Sequence, residues 1–183
     1  MIKNNDDLFL KYNEGDTLNF LFFWGHTEKN KQITKSCFSQ WYESKFLVDG
    51  IQYQNEEQFM MAEKARLFND NESLELIIKS KNPNEIKKYG RMVKNFSEKQ
   101  WKDKRFEIVV NGNYNKFSQN PELKEFIIET GNKILVEASP VDKIWGIGMA
   151  ENEIGIENPF NWKGLNLLGF ALMEVREKLN VLS

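Results

Sequence analysis

A chain of 183 residues, 40% hydrophobic and 13% aromatic, is long enough to bury a substantial core, and its length favours one domain over two. Its 25 basic and 27 acidic residues leave a formal charge of -2, which excludes the strongly basic balance of a protein that grips a nucleic-acid backbone over many phosphates. One cysteine, Cys37, and one histidine, His26, exclude an intrachain disulfide and a Cys/His zinc cluster, so the expectation is one metal-free, cofactor-free cytoplasmic domain over residues 1–183.

In chain order, residues 1–17 open with the polar segment Met1 to Gly15 and read as a loosely held lead-in. The apolar stretch Leu18 to Trp24 is too short to span a bilayer and lacks the flanks of a signal peptide, so no membrane role is expected. From Leu18 to Tyr53 β-branched and aromatic residues dominate. Asp49-Gly50 between Phe46-Leu47-Val48 and Ile51-Gln52-Tyr53 predicts a short hairpin.

After Asn55 the apolar spacing becomes helical, through Phe59 to Phe68 and again at Leu74, Ile77 and Ile78. Further helices are expected at Pro83 to Val93, Glu98 to Phe117, Pro121 to Thr130 and Gly164 to Leu179. Asn82 and Asn120 stand as caps before Pro83 and Pro121. Ile134 to Trp162, with Gly146, Gly148, Gly155 and Pro159, reads as irregular and loop-like. The fold class expected is mainly α (α+β), with a small hairpin or sheet near the N-terminal end.

Within Asn55 to Phe68 the residues Glu57, Met60, Met61, Lys64, Leu67 and Phe68 share one helical face, so a carboxylate and an ammonium lie on the apolar stripe. Two readings fit. Lys64 snorkels at the core edge while Glu57 favours the helix dipole, or both heads enter a partly dry pocket and shift toward acid/base use. Two turns separate them, roughly 10 Å along the axis, so they would flank a ligand.

Asp142, three residues before Trp145 and the glycines 146 and 148, suits a ring-stacking loop, with turn capping and core packing as the alternatives. Lys87, Lys88 and Arg91 around Gly90 could clamp a phosphate or form a solvated basic face. Trp41 and Trp101 are candidate pocket walls or core residues. His26 has no serine or cysteine motif beside it and is given no catalytic role.

Six segments in order resemble the NADAR (YbiA-like) family: FSQWYESKF (Phe38 to Phe46), EEQFMMAEKARLF (Glu56 to Phe68), IKKYGR (Ile86 to Arg91), KFSQNPEL (Lys116 to Leu123), LVEASPVDKIWGIG (Leu135 to Gly148) and GLNLLGFALMEVR (Gly164 to Arg176). The resemblance implies a mainly helical fold and an N-glycosidase that cleaves ribose from an exocyclic amine. The family's substrates include ADP-ribosylated guanine, also in DNA, and phosphoribosylamino-pyrimidine intermediates of riboflavin synthesis. Carried over by motif, Glu57 matches the helix-borne glutamate, Lys64 the lysine, Asp142 the loop aspartate, and Trp101 and Trp145 the site tryptophans.

The expected catalytic set is therefore Glu57, Lys64 and Asp142, with Gln40, Trp41, Arg91, Trp101, Trp145 and Asn166 binding substrate. Glu57 and Asp142 would share proton transfer and cation stabilisation, and Lys64 could form a Schiff base with the opened ribose. Ser39-Gln40-Trp41 stands where some members have Ser-Asn-Phe, and Trp145 is followed by Gly146-Ile147-Gly148 where others have a second acidic residue. These departures lean toward ADP-ribosyl-guanine as substrate, with a local contact to modified DNA. The riboflavin intermediate is the enzymatic alternative. A non-catalytic ADP-ribose or nucleotide sensor is the alternative from another class.

Overall fold

The computed structural model describes residues 2–27 and 32–181. In chain order the elements are α1 (Asn5–Asn13), β1 (Phe20–Phe23), β2 (Phe46–Val48), β3 (Ile51–Tyr53), α2 (Glu56–Leu67), α3 (Asn71–Lys79), α4 (Pro83–Arg91), α5 (Glu98–Gln119), α6 (Pro121–Glu129), β4 (Ile134–Glu137) and α7 (Leu167–Val181). Short 3-10 turns occupy Lys35–Phe38 and Pro159–Asn161. The chain divides into two compact units, residues 1–39 with 122–183, and residues 40–121. Among the described residues no helix is long and apolar enough to cross a membrane.

In the first unit, β1 pairs in parallel with β4, from Phe20 opposite Ile134 to Phe23 opposite Glu137. Ile134, Leu135 and Val136 are all buried, which explains the unbroken apolar run of β4. The strand lies inside the stretch expected to be irregular. A strand of four residues with no alternation cannot be told from loop by periodicity alone. The small sheet is thus completed from the C-terminal half of the chain.

The lead-in is also more ordered than expected. Asn4 caps α1 by accepting the Asp7 amide at 2.9 Å. Leu8 is fully buried, and the Phe9 ring stacks on Phe160 at 4.5 Å. Leu8 and the rings of Phe9 and Tyr12 against Phe160 dock a helix whose remaining apolar side chain, Leu10, is exposed.

In the second unit, β2 and β3 form the expected antiparallel hairpin, Phe46 facing Tyr53 and Val48 facing Ile51. Asp49 and Gly50 both have positive φ, 49° and 77°, as a two-residue turn between right-twisted strands requires. Asn82 caps α4 by accepting the Asn84 amide at 2.9 Å. Asn120 differs from expectation: its side-chain amide donates to the Lys116 carbonyl at 2.7 Å and to Lys45 at 3.1 Å, so it ties the end of α5 to the hairpin.

Helix α2 is the centre of this unit, packed by α3, α4, α5 and β3. Every residue from Glu56 to Ala62 is buried, so over its first two turns the single apolar stripe expected there gives way to a helix enclosed on all sides. Close approach is made possible by two glycines. A Cβ at Gly112 on α5 would lie 2.6 Å from the Phe59 ring, and one at Gly90 on α4 would lie 2.1 Å from Met61 Sδ. Gln58 fills the remaining polar need by donating to the carbonyls of Ile77 and Ser80, both at 2.9 Å, and accepting from the Gln54 amide at 2.8 Å.

Candidate active site

Enclosure of α2 puts its polar first turn inside the protein, and Asn55 starts the helix there by accepting the Gln58 amide at 2.9 Å. The exposed amides and dipole of a helix N-terminus favour anionic groups, and this turn carries two adjacent carboxyls, Glu56 and Glu57. Glu57 retains 8% exposure and its backbone N–H donates to the Gln40 carbonyl at 2.9 Å. Glu56 has no exposed surface; its Oε2 accepts the Gln40 side-chain amide at 2.8 Å, and its Oε1 has no partner among the described residues.

Burial pushes the Glu56 carboxyl up to about 8. The Gln40 hydrogen bond opposes that rise, the Glu57 charge adds to it, and the Lys116 charge opposes it. Lys116, on α5, is itself fully buried, its Nζ 5.2 Å from the Phe117 ring centre and 5.5 Å from that of Tyr42. A cation stacked between aromatic faces keeps part of its solvation inside a core.

Two turns along α2, the Lys64 ammonium donates to the Gly90 carbonyl at 2.8 Å and lies 4.5 Å above the Phe96 ring and 5.8 Å from Trp101. Burial lowers its pKa from the ordinary 10.5, against the charges of Glu98 and Glu57. Lys64 is therefore half-buried in an aromatic corner and within electrostatic reach of Glu57. Trp101 forms one wall of that corner. Trp41, next to Gln40, is half-buried. Arg91 follows Gly90 at the end of α4 and is exposed, as are Lys87 and Lys88. It makes no ion pair among the described residues, so its guanidinium is available to an anion.

The other expected residues belong to the first unit. Asp142 Oδ1 accepts the amides of Ile144 at 2.7 Å and Trp145 at 2.8 Å, while its own amide donates to Ser139 Oγ at 3.1 Å. One carboxylate oxygen thus builds the turn that presents Trp145, which is half-buried. Asn166 was expected to bind substrate. It is fully buried, with Oδ1 accepting the Glu137 amide and Nδ2 donating to the Leu135 carbonyl, both at 3.0 Å. Its side chain is committed to β4, in a backbone conformation of φ 52° that Asn tolerates. Asn166 holds the loop in place and presents nothing outward.

Gln40 is likewise committed to Glu56. Its role within the protein is to hold the first turn of α2. Glu56 and Lys116 are the two charged site residues that sequence spacing failed to raise. Lys116 shares a helical face with Val109, Gly112 and Asn113, all buried, and a lysine on an otherwise buried face was a readable signal. Glu56 stood beside a glutamate already singled out and gave no signal of its own. Among the described residues no three His, Cys, Asp or Glu side chains gather in a way that could hold a metal ion.

This set of groups can do acid/base and nucleophilic chemistry. A nearly buried carboxyl, a lysine with lowered pKa, aromatic walls and an exposed guanidinium suit a substrate that joins an anion to a ring and departs by proton transfer. The NADAR domain model matches residues 22–180. An N-glycosidase, R617, of Acanthamoeba polyphaga mimivirus is 43% identical over 169 residues, 89% of this chain and 98% of that protein. N-glycosidase YbiA of Shigella boydii serotype 4 is 30% identical over 134 residues, 73% of this chain and 75% of that one. The solution structure of the Escherichia coli protein YbiA superposes with a TM-score of 0.72 at 25% identity, covering 89% of this chain and 86% of that one. With its fold, its buried first turn of α2 and these likenesses together, the chain belongs to the NADAR domain family.

Proposed function

We propose that this protein is an N-glycosidase, a hydrolase that cleaves the bond between a ribose and an exocyclic amine. The observation that carries the reading is α2 itself, which bears a nearly buried carboxyl, Glu57, and two turns later a lysine, Lys64, whose burial favours the neutral amine. Kinship with proteins named N-glycosidases supports it.

Cleavage moves the electron pair of the C–N bond onto the departing nitrogen, which must take a proton, while the anomeric carbon gains an oxygen from water. Glu57 supplies the proton to the amine, a role worth ~10²–10⁴ in rate for a positioned acid. In a glycosylamine the ribose also opens to an imine. The Lys64 amine then adds to that carbon, the protonated base amine leaves, and water hydrolyses the resulting Schiff base to free sugar and free lysine. Arg91 holds substrate phosphate, and Trp101 offers an aromatic face. Asp142 is carried over from the family resemblance as a carboxylate that the reaction requires.

The substrate is ADP-ribosylated guanine, as a nucleotide or in DNA. The departures at Ser39-Gln40-Trp41 and at Gly146-Ile147-Gly148 from the pattern of other members support it over the phosphoribosylamino-pyrimidine through the shape of each loop, since Gln40 is bonded to Glu56 and Ile147 is fully buried. The test is hydrolysis of an ADP-ribosyl-guanosine oligonucleotide beside the pyrimidine substrate, with released base and sugar quantified. Cleavage of the oligonucleotide alone is expected. Cleavage of the pyrimidine alone overturns the substrate, and cleavage of neither overturns the activity.

A further inference from the structure

Glu56 takes no part in the steps above, yet it is the most enclosed ionisable group of the first turn of α2. Gln40 is tied to that turn twice, by its carbonyl, which accepts the Glu57 amide at 2.9 Å, and by its side chain, which donates to Glu56 Oε2 at 2.8 Å. The same side-chain nitrogen lies 3.3 Å from Met60 Sδ. Trp41 follows directly in the chain. The charged groups that act on Glu56 are Glu57 beside it and Lys116 on α5. Its second oxygen, Oε1, accepts no hydrogen bond among the described residues, and a Cβ at Gly112 would lie only 2.8 Å from it.

We propose that Glu56 is a positioning residue of this site, a buried carboxyl whose protonation state governs how Glu57 and the Gln40–Trp41 segment are presented to the substrate. With its proton on, Glu56 adds no charge beside Glu57. With its proton off, it sets a negative charge next to Glu57, and the Gln40 bond becomes charge-assisted and shorter. The orphan oxygen is where the proton resides, since Oε2 is already an acceptor. Because burial holds that proton up to about 8, the change of state falls where an enzyme of neutral solution works. The consequence for turnover rests on the N-glycosidase reading; the Glu56–Gln40 clamp does not.

The test joins an NMR titration of the protein alone to a pH profile of kcat/KM, for wild type and Glu56→Gln. The Gln40 side-chain amide resonances are expected to move with a midpoint near 8, and the Glu57 carboxyl resonance to show an inflection at the same pH. Both features vanish in Glu56→Gln, and an alkaline limb of kcat/KM near that midpoint flattens. A second variant, Gln40→Leu, removes a bond that favours the charged form and shifts the Glu56 midpoint upward. A Gln40 amide indifferent to pH, or an alkaline limb unchanged in Glu56→Gln, overturns the proposal. Should neither protein turn over substrate, the NMR titration decides alone, so loss of the glycosidase reading and loss of the clamp are separate results.

Discussion

The Gln40 side-chain amide lies 2.8 Å from Glu56 Oε2, inside the core of the second unit, and the other oxygen of that carboxyl has no protein donor among the described residues. Burial outweighs that hydrogen bond and holds the Glu56 proton up to about 8, above the ordinary 4.5 of a free glutamate. The folded form binds more protons between these values, so the contribution of this group to stability is full below about 4.5 and is lost as pH rises toward 8. Glu56→Gln keeps an acceptor for Gln40 and cannot ionise. Its stability relative to wild type should climb between pH 5 and 8, by on the order of a few kcal/mol. Urea unfolding of both proteins at the two pH values checks this, and a pH-independent difference would contradict it.

Lys64 donates to the Gly90 carbonyl within an aromatic corner, and burial lowers its pKa. Borohydride added during turnover should leave a ribosyl adduct on Lys64, identified by peptide mass, with a yield that rises with pH as the neutral amine grows. Lys64→Arg keeps a donor for Gly90 and should give no adduct, with a loss of rate of ~10²-fold or more. An adduct of equal yield in Lys64→Arg would place the nucleophile elsewhere.

Asp142 uses one oxygen to accept the amides of Ile144 and Trp145. Asparagine supplies the same acceptor without the charge, whereas alanine leaves two amides to find water. Asp142→Ala should lose ~1–3 kcal/mol of stability, and Asp142→Asn much less. If the charge serves the reaction, Asp142→Asn loses turnover while its melting temperature stays near that of wild type. Equal turnover in wild type and Asp142→Asn would reduce Asp142 to a turn residue.

Gly112 lets α5 approach α2 so closely that a methyl group would meet Phe59 at 2.6 Å and Glu56 Oε1 at 2.8 Å. Both neighbours are fully enclosed, so neither can move aside freely. Gly112→Ala should cost ~1–3 kcal/mol despite alanine's better helix propensity. Thermal melting reads the effect, and a stabilised variant would show that the contact is slack.

Much of the architecture was legible because local signals and packing agreed. The Asp49-Gly50 turn, the Asn82-Pro83 helix start and the positions of the helices from Asn55 onward all rest on chemistry confined to a few residues. Strand β4 was not legible, since its partner β1 lies more than a hundred residues earlier and a short, fully buried strand has no alternation to display. Helix α1 hid behind a polar composition because Leu8 and Phe9 dock it with few apolar groups.

The candidate site shows the same division between local and long-range signals. Glu57 and Lys64 stood out as charges on an apolar helix, and the corner built by Lys64 with Trp101 joins two of the residues named from sequence. Glu56 and Lys116 escaped notice because their burial comes from the close approach of α5, which Gly112 permits and no local pattern announces. Asn166 bridges the backbone of β4, and in sequence a buried amide of that kind looks like one that meets a ligand.

Single-turnover hydrolysis of ADP-ribosylated guanine in an oligonucleotide, comparing wild type with Glu57→Gln, tests the N-glycosidase assignment most directly. Wild type should release ADP-ribose and unmodified guanine, and Glu57→Gln, folded with an unchanged melting profile, should be slower by ~10²–10⁴-fold. Release at the same rate in both proteins would contradict the assignment of this turn of α2 as the seat of the chemistry, and release by neither would overturn this substrate.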